Sequence, residues 1–208
     1  GEYLLWWMNR GNIPVLATTS NNGGFGFLGD PGTIPLLGPG PFGPTGPYSG
    51  MRVRGGWLNE ALNCGVDGSF FFLGSQTESF ASNLPTLTRP IFAPNIPGEF
   101  GELVSFPGLA TGNLLVQTSS SLYGFDANFR IPDCRTCDRR REWFVGYRHL
   151  GLDENLTMTE SITAGPNATQ PEGTRILVQD KFETQNRFNG AQVGYAFERR
   201  RGNWDIDG

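Results

Sequence analysis

Alternation of apolar and polar residues with a period of two recurs along the sequence and constrains the fold more than any other feature. The cleanest example is YGFDANFRI, residues 123–131, where aromatic and aliphatic residues alternate with glycine and polar residues. Successive side chains of a β-strand point to opposite faces, so this pattern gives a strand one apolar and one polar face. The sequence has no sustained stripe of apolar residues at helical spacings of three and four. It therefore predicts an all-β protein.

The same alternation predicts about six main strands and an incomplete seventh that begins at Trp204. The predicted strands lie near residues 2–8, 48–58, 63–75, 113–131, 140–156 and 178–198. The connections between them alternate between long and short. The long connections are an irregular loop over residues 9–46, a second irregular connection over roughly 76–112, and a hairpin tip over 156–180.

Sorted loop lengths of this kind are typical of an antiparallel up-and-down transmembrane β-barrel, which has short turns at one end and long loops at the other. Aromatic residues make up 12% of the chain and concentrate near the predicted strand ends, as the interfacial girdles of such a barrel require. No segment reaches the ~18 to 20 apolar residues of a transmembrane helix, whereas a barrel strand needs only ~9 to 11 residues. The alternative is a soluble β-sandwich, which has no reason to sort its loop lengths between two ends.

The chain ends indicate a piece of a larger barrel. Gly1 is followed by no signal segment, and the final residues NWDIDG stop inside an alternating pattern. Residues 1–208 are therefore interpreted as a single domain, the N-terminal part of an outer-membrane barrel truncated at both ends, with about six to seven strands present. The formal net charge of −4, with basic residues scattered among acidic ones, argues against nucleic-acid binding.

The cysteines and the histidine do not indicate a metal centre or a catalytic site. Cys134 and Cys137 form a single CxxC, whereas a four-thiolate zinc site needs a second one. A turn disulfide or inert thiols are therefore the preferred interpretation for these two residues and Cys64, and we expect neither metal nor cofactor. His149 is the only histidine, with Asp153 following it, but no GxSxG motif supplies a nucleophile, so no enzyme is predicted.

Several segments, in order and together spanning nearly the whole chain, carry a family resemblance: EYLLWWM, GVDGSFFFLG, ELVSFPGLATG followed by SLYGFDANFR, VGYRHLGLDENLTMTE and FETQNRFNGAQVGY. In these motifs the chain resembles the planctomycete-type outer-membrane β-barrel proteins, a family of uncharacterised function. The resemblance implies an outer-membrane barrel longer than this chain and carries no catalytic or ligand-binding residues. The cysteine-bearing turn and the proline-rich first loop depart from the family, but loops vary easily.

The polar strand faces predict a belt of alternating charge in the lumen. Residues opposite each other in an antiparallel hairpin have a constant sum of residue numbers, so each pair can be tested against the turn between its strands. The expected pairs are Arg54 with Asp67, Asp67 with Asp126, Asp126 with Arg148, and Arg148 with Gln192. In a dry lumen Arg54 and Arg148 are expected to pair with Asp67 and Asp126, with Asp126 and Arg148 in a direct or near salt bridge. In a water-filled pore the same charges would influence which solutes enter.

The apolar strand faces are expected to contact lipid. Their side chains should stay accessible in the isolated chain, the reverse of what a soluble protein requires. The residues expected to point outward are Tyr123, Phe125, Phe129, Trp143, Val145, Tyr147, Val193, Tyr195 and Phe197.

The leading functional hypothesis is a porin-like passive channel or envelope surface protein in the bacterial outer membrane. Its expected partners are outer-membrane lipid and small solutes that cross the lumen. One alternative is a structural or adhesive barrel with a closed lumen, whose outer loops carry the function. Another is a soluble β-sandwich that acts as a binding module.

Overall fold

The computed structural model describes residues 1–59, 61, 63–91, 100–136, 139–201 and 204–207, and the regular secondary structure within them is entirely β. In this part of the chain no helix has the length and apolar character that a membrane span requires. The all-β prediction is confirmed. The strands are β1 (Glu2–Trp6), β2 (Gly11–Ile13), β3 (Ala17–Ser20), β4 (Thr33–Leu37), β5 (Gly40–Phe42), β6 (Tyr48–Asn59), β7 (Cys64–Ser82), β8 (Leu87–Ile91), β9 (Phe100–Ser105), β10 (Ala110–Thr136), β11 (Arg139–Ala164), β12 (Arg175–Arg201) and β13 (Trp204–Asp207).

Seven strands form one antiparallel sheet in the order β1-β6-β7-β10-β11-β12-β13. This is an up-and-down arrangement, interrupted only by the excursions between β1 and β6 and between β7 and β10. Among the described residues the two edge strands, β1 and β13, do not pair with each other, so the sheet is open and not closed into a barrel. Closure requires the two edges to pair, and seven strands are fewer than the eight of the smallest bacterial outer-membrane barrels.

The three longest strands exceed what a membrane crossing needs. β10, β11 and β12 contain 27, 26 and 27 residues, whereas ~9 to 11 suffice to cross a bilayer. The prediction of a long hairpin tip over residues 156–180 is wrong, because β11 continues to Ala164 and β12 begins at Arg175. Polar and β-branched residues continue the ladder there as far as the pair of Thr163 with Arg175.

The other two long connections contain regular structure where irregular loops were predicted. β2 pairs with β5, and β4-β3-β8-β9 form a four-stranded antiparallel sheet, which we call the small sheet. These strands have only three to six residues, and several contain proline, so no alternating pattern marks them in the sequence. The predicted boundaries at 76 and 112 also move, since β7 extends to Ser82 and β10 begins at Ala110.

The small sheet packs against one face of the long strands. Register places Leu114 opposite Glu160 and Val116 opposite Met158, so these residues share that face, which we call the inner face. The opposite side is the outer face. Full burial of one Leu or Val side chain contributes about 1.5 to 3 kcal/mol, so the contact holds the small sheet in place. The core cluster comprises Leu16, Ala17, Leu37, Leu87 and Val104 with Leu114, Val116, Met158 and Ile162.

A second apolar cluster lies further along the inner face, where β1 and β6 meet β7. Its buried members are Leu4, Tyr48, Phe71 and Leu73. The hydroxyl of Tyr48 is 2.5 Å from the hydroxyl of Ser120, so its polar end is satisfied. In strand register this cluster separates the small-sheet contact from the polar part of the inner face.

Candidate functional site on the inner face

The residues of the expected charged belt share the inner face. One row across four strands contains Arg54, Ser69, Asp126 and Arg148, each directly opposite the next, and we call it the arginine row. The next row on the same face, the amide row, contains Asp67, Asn128, Gly146 and Gln192. Directly opposite residues share a face of a sheet, and so do residues two apart along a strand.

The register agrees with one of the expected pairs and displaces the others. Asp126 lies directly opposite Arg148. Arg54 faces Ser69 where Asp67 was expected. Asp67 in turn faces Asn128 and not Asp126, and Arg148 faces Gly190 and not Gln192. Each pair moves by one row because the true centres of the connections differ slightly from those assumed.

Arg130 is the central cation of the polar inner face, and the sequence reasoning did not select it. Its guanidinium forms ion pairs with Asp67 of β7 and Glu142 of β11, and a second nitrogen lies 3.3 Å from Asp67 Oδ2. The carboxylate side chains are 14% and 7% exposed, so both ion pairs are largely shielded from water. Arg130 also lies 5.5 Å above the ring of Phe144. The alternating pattern could have identified Arg130, because it lies four residues after Asp126 and therefore on the same face of the strand.

Asn128 links the two polar rows. Its amide nitrogen donates to Asp126 Oδ1 at 3.1 Å and to Asp67 Oδ2 at 3.3 Å. Its carbonyl oxygen accepts a hydrogen bond from Gln192 of β12. The hydroxyl of Ser69 donates to the second oxygen of Asp126. These hydrogen bonds join β7, β10 and β12, and the contact of Arg130 with Glu142 adds β11 to the network.

The expected ion pairs of Arg54 and Arg148 are not formed. Within the described residues neither guanidinium has a carboxylate within 4.0 Å, although Arg54 acts on Asp67 through its charge at longer range. Asp67 forms its ion pair with Arg130, and the two oxygens of Asp126 accept hydrogen bonds from the uncharged side chains of Ser69 and Asn128. Of the expected direct or near salt bridge between Asp126 and Arg148, the direct form is absent among the described residues, although their backbone positions are paired.

Two open cavities adjoin these rows on the inner face. One, of about 490 Å³, is lined by Arg54, Asp67, Arg130 and Glu142 among others. The other, of about 330 Å³, lies between the arginine row and the second apolar cluster, and Trp6, Arg52, Arg54, Phe71, Asp126 and Arg148 line it. We call the latter the arginine cavity.

The outer face carries the residues that were expected to point to lipid. Register places all nine on it, on the opposite side of the sheet from the arginine row. Eight of them are between 38% and 77% exposed, and Tyr123 is half-buried because its ring lies over Gly151. These residues are not enclosed between two packed sheets, as they would be in a sandwich.

Aromatic groups line the outer face along the apolar zone, with ring pairs at two heights and Phe129 and Tyr147 in the rows between them. Near the short connections, the rings of Trp143 and Tyr195 are 4.8 Å apart. At the other height Phe125 stacks on His149, with ring centroids 5.2 Å apart, and His149 Nδ1 lies 2.8 Å from Asn189 Oδ1. Aromatic side chains at the borders of an apolar zone are characteristic of barrels embedded in a bilayer.

The family model described as Putative beta barrel porin-7 (BBP7) matches residues 1–208. The chain belongs to this family. The resemblance to an outer-membrane β-barrel family seen in the sequence is thereby confirmed. No curated protein and no solved structure matches the chain.

Beyond the apolar zone, the outer face of the porin-7 chain becomes polar. The row of Ser119, Asn155 and Glu183 lies past Tyr123 in the direction of the small sheet. These side chains are unsuited to hydrocarbon, so the apolar zone of the outer face ends near Tyr123. The strand extensions and the small sheet lie beyond this zone.

In this extension an ion cluster joins the small sheet to the long strands. Arg89 of β8 contacts Glu102 at 2.7 Å and Glu160 at 2.5 Å, and it also forms an ion pair with Asp180. Arg89 Nε and both oxygens of Glu160 lack hydrogen-bond geometry despite their closeness, so the contact is an ion pair only. The sequence reasoning missed this cluster because its members lie on four different strands.

Burial dominates the titration of the cluster. Desolvation raises the pKa of Glu160 to about 7; the Arg89 charge opposes this rise, and the negative charges of Glu102 and Asp180 add to it. Burial also disfavours the charged form of Arg89, but hydrogen bonds to Asp180 and Glu102 outweigh it and raise the pKa of Arg89. The guanidinium therefore stays charged while Glu160 titrates near neutrality.

The described residues of the porin-7 chain contain no group of three or more His, Cys, Asp or Glu side chains that could hold a metal ion. Cys64 is a free thiol. The expected turn disulfide concerns the side chain of Cys134 and residue Cys137, which lie outside the described part. His149 contacts Asn189, and Asp153 instead pairs with Arg187 at 2.6 Å.

Proposed function

We propose that this porin-7 family member is an outer-membrane β-barrel that conducts small solutes passively through its lumen. The observation that carries the proposal is the opposition of the two faces within the same strand segments. Exposed aromatic and aliphatic side chains lie on one face, and charged and amide side chains lie on the other. A soluble sheet would bury its apolar face and expose its charged one.

The dimensions of the apolar zone agree with a bilayer. On β10 it extends from Tyr123 to Ile131, and on β11 from Trp143 to Gly151. Each segment has the length of ~9 to 11 residues that a tilted barrel strand needs to cross the hydrocarbon core. Lipid would cover these side chains, so their exposure in the isolated chain is what a membrane location requires.

The charges of the inner face favour a lumen filled with water. Arg54 and Arg148 are both exposed and lack a carboxylate partner within the described residues. An uncompensated guanidinium in a dry interior carries a large desolvation penalty, whereas in water it does not. A hydrated lumen therefore accommodates these two residues, and a tightly closed one does not.

We further propose that the protein has no catalytic site. The residues that a Ser-His-Asp triad would use are separated by their contacts, since His149 is held by Asn189 and Asp153 by Arg187 on the outer face. A side chain facing lipid is also poorly placed to meet a soluble substrate.

A second candidate function is a structural or adhesive barrel whose lumen is closed. The packing of the small sheet on the inner face favours it, because this sheet covers the strand extensions on the lumen side. If the small sheet fills the outer mouth, solutes cannot pass, and the exposed connections carry the function. Ion current separates the two candidates.

The test is the conductance of the full-length protein, purified from outer membranes and reconstituted in a planar bilayer. Stepwise current increments that scale with salt concentration support the channel. The variant Arg54→Trp tests whether the current passes along the inner face. It places a bulky side chain there and should lower the unit current relative to the wild type. Intact barrels that give no current overturn the channel in favour of the closed barrel, and recovery of the protein only in the soluble fraction overturns both.

A further inference from the structure

We propose that the arginine cavity binds an organic anion, a solute that carries a carboxylate or phosphate group on a small apolar body. The inference deepens the channel function proposed above and rests on it for the location of the cavity in the lumen. The cavity encloses about 330 Å³, within the range of sites that take small molecules. Its lining is divided between guanidinium groups and apolar side chains.

The first argument is that the pairing pattern leaves an excess of positive charge. Arg130 satisfies Asp67 and Glu142 outside this cavity. Arg54 and Arg148, which line the cavity, have no carboxylate within 4.0 Å among the described residues. A cavity bounded by two unpaired guanidinium groups attracts anions and repels cations.

Asp126 is the carboxylate in the cavity lining, and it does not cancel this excess. It accepts hydrogen bonds from Ser69 and Asn128, which stabilise its charge without adding a positive one. The lining holds three guanidinium groups. Arg52 is paired with Glu2 at 3.3 Å, so Arg54 and Arg148 are the two that set the excess over Asp126. Asp126 lies between Arg54 and Arg148 in the row, but its oxygens accept from Ser69 and Asn128, so the guanidinium donors of both arginines stay free of ion pairs among the described residues.

The spacing of the arginine row suits a bound anion. Arg54 and Arg148 are separated by two strands, and neighbouring strands are ~4.8 Å apart, so their Cα atoms are about 14 Å apart. Long arginine side chains from both ends can converge on an anionic group held over the row. A planar guanidinium binds carboxylate or phosphate oxygens through two parallel hydrogen bonds.

The apolar side chains of the cavity wall indicate that the rest of the solute is apolar. Phe71 and Trp6 have ring centroids 5.4 Å apart, and the guanidinium of Arg52 lies 5.7 Å from each centroid. Leu122 and Leu150 continue this wall. A ring or short alkyl chain attached to the anionic group would contact these side chains while the charge meets the arginine row.

The test uses benzoate and phenyl phosphate as probes, with benzyl alcohol as the neutral analogue, titrated calorimetrically into the full-length protein in detergent. We expect both anions to bind and benzyl alcohol to bind at least tenfold more weakly. In the double variant Arg54→Gln/Arg148→Gln, anion affinity should fall at least tenfold. The control Arg175→Gln removes one positive charge from an exposed position on β12, away from the cavity, and should leave affinity unchanged.

Several outcomes overturn the site. They are equal binding of benzyl alcohol, unchanged anion affinity in the double variant, or an equal loss in Arg175→Gln. If the double variant does not fold, the pair Arg54→Lys/Arg148→Lys replaces it, which should keep measurable anion binding because it keeps the charge. Ion current without anion binding overturns the site and leaves the channel standing. Anion binding that depends on the two arginines without ion current supports the site and overturns the channel.

Discussion

Arg89 Nε on β8 lies 2.5 Å from Glu160 Oε1 on β11, and this ion pair joins the small sheet to the long strands. The Glu160 side chain is 1% exposed, so its charge state is coupled to the docking of the small sheet. Removing one partner of a buried ion pair is strongly destabilising, whereas neutralising a poorly solvated carboxylate relieves a desolvation penalty. The two changes therefore have opposite expected effects at the same contact.

The first prediction concerns pH. The pKa of Glu160 is about 7 in the folded chain against an ordinary value of 4.5, so the folded chain binds this proton more tightly than the unfolded chain. The stabilising contribution is complete below pH 4.5, decreases between pH 4.5 and 7, and is lost above pH 7. We expect docking of the small sheet to be more stable at pH 5 than at pH 8, by up to about 3 kcal/mol.

Hydrogen exchange of the β8 amides, corrected for the intrinsic pH dependence of exchange, measures this difference. The control is Glu160→Gln, which is neutral at every pH and should flatten the profile between pH 5 and 8. Equal pH dependence in the variant and the wild type would contradict the assignment to Glu160.

The second prediction contrasts two arginines of the inner face. Arg130→Ala leaves Asp67 and Glu142 without their cation in a shielded position, and we expect the free energy of unfolding to fall by about 3 kcal/mol. Arg148→Ala removes an exposed side chain without an ion pair among the described residues, and the loss should stay below about 1 kcal/mol. Urea unfolding in lipid vesicles compares the two variants. Equal losses would show that the ion pairs of Arg130 do not stabilise the sheet.

Much of the large sheet could be predicted because alternation is a local property. Once Tyr123 is assigned to one face, every second residue to Ile131 follows, and the structure has them on one face. The pairing of Asp126 with Arg148 could also be predicted from the sequence, since the short connection between β10 and β11 leaves little freedom for the register. The other register assignments shifted by one row across a short connection, between β6 and β7, as well as across the longer one that displaced Arg148 from Gln192.

The side-chain partners could not be predicted from row positions. Arg130 is long enough to reach diagonally to Asp67, one row away, so the directly opposite position does not decide which carboxylate an arginine contacts. The small sheet could not be predicted from the sequence for a different reason. Its strands are too short to alternate visibly, and they pair across large sequence separations, as Thr18 of β3 does with Thr88 of β8.

The third prediction concerns close packing at Gly146. A Cβ atom at this position would overlap the amide of Asn128 and the carbonyl oxygen of Ala127, so Gly146→Ala should disturb the network that joins the polar rows. We expect a loss of about 1 to 3 kcal/mol in the free energy of unfolding. Gly55→Ala is the matched control, because a Cβ at Gly55 meets no atom within 4 Å. A loss at Gly55 as large as that at Gly146 would mean that strand flexibility, and not space, decides the effect.

The fourth prediction distinguishes the two faces directly. Trp143 lies on the outer face and is 53% exposed, whereas Trp6 lies on the inner face beside the arginine cavity. If the outer face contacts lipid, a variant that retains Trp143 as its only tryptophan should lose most of its fluorescence in vesicles of brominated lipid. A variant that retains only Trp6 should lose little, because the sheet separates it from the acyl chains, and aqueous iodide should quench it instead. Lipid quenching of both tryptophans to the same extent would contradict a lumen on the inner face. Protection of Trp143 from both quenchers would indicate that protein covers the outer face, as in a soluble sandwich.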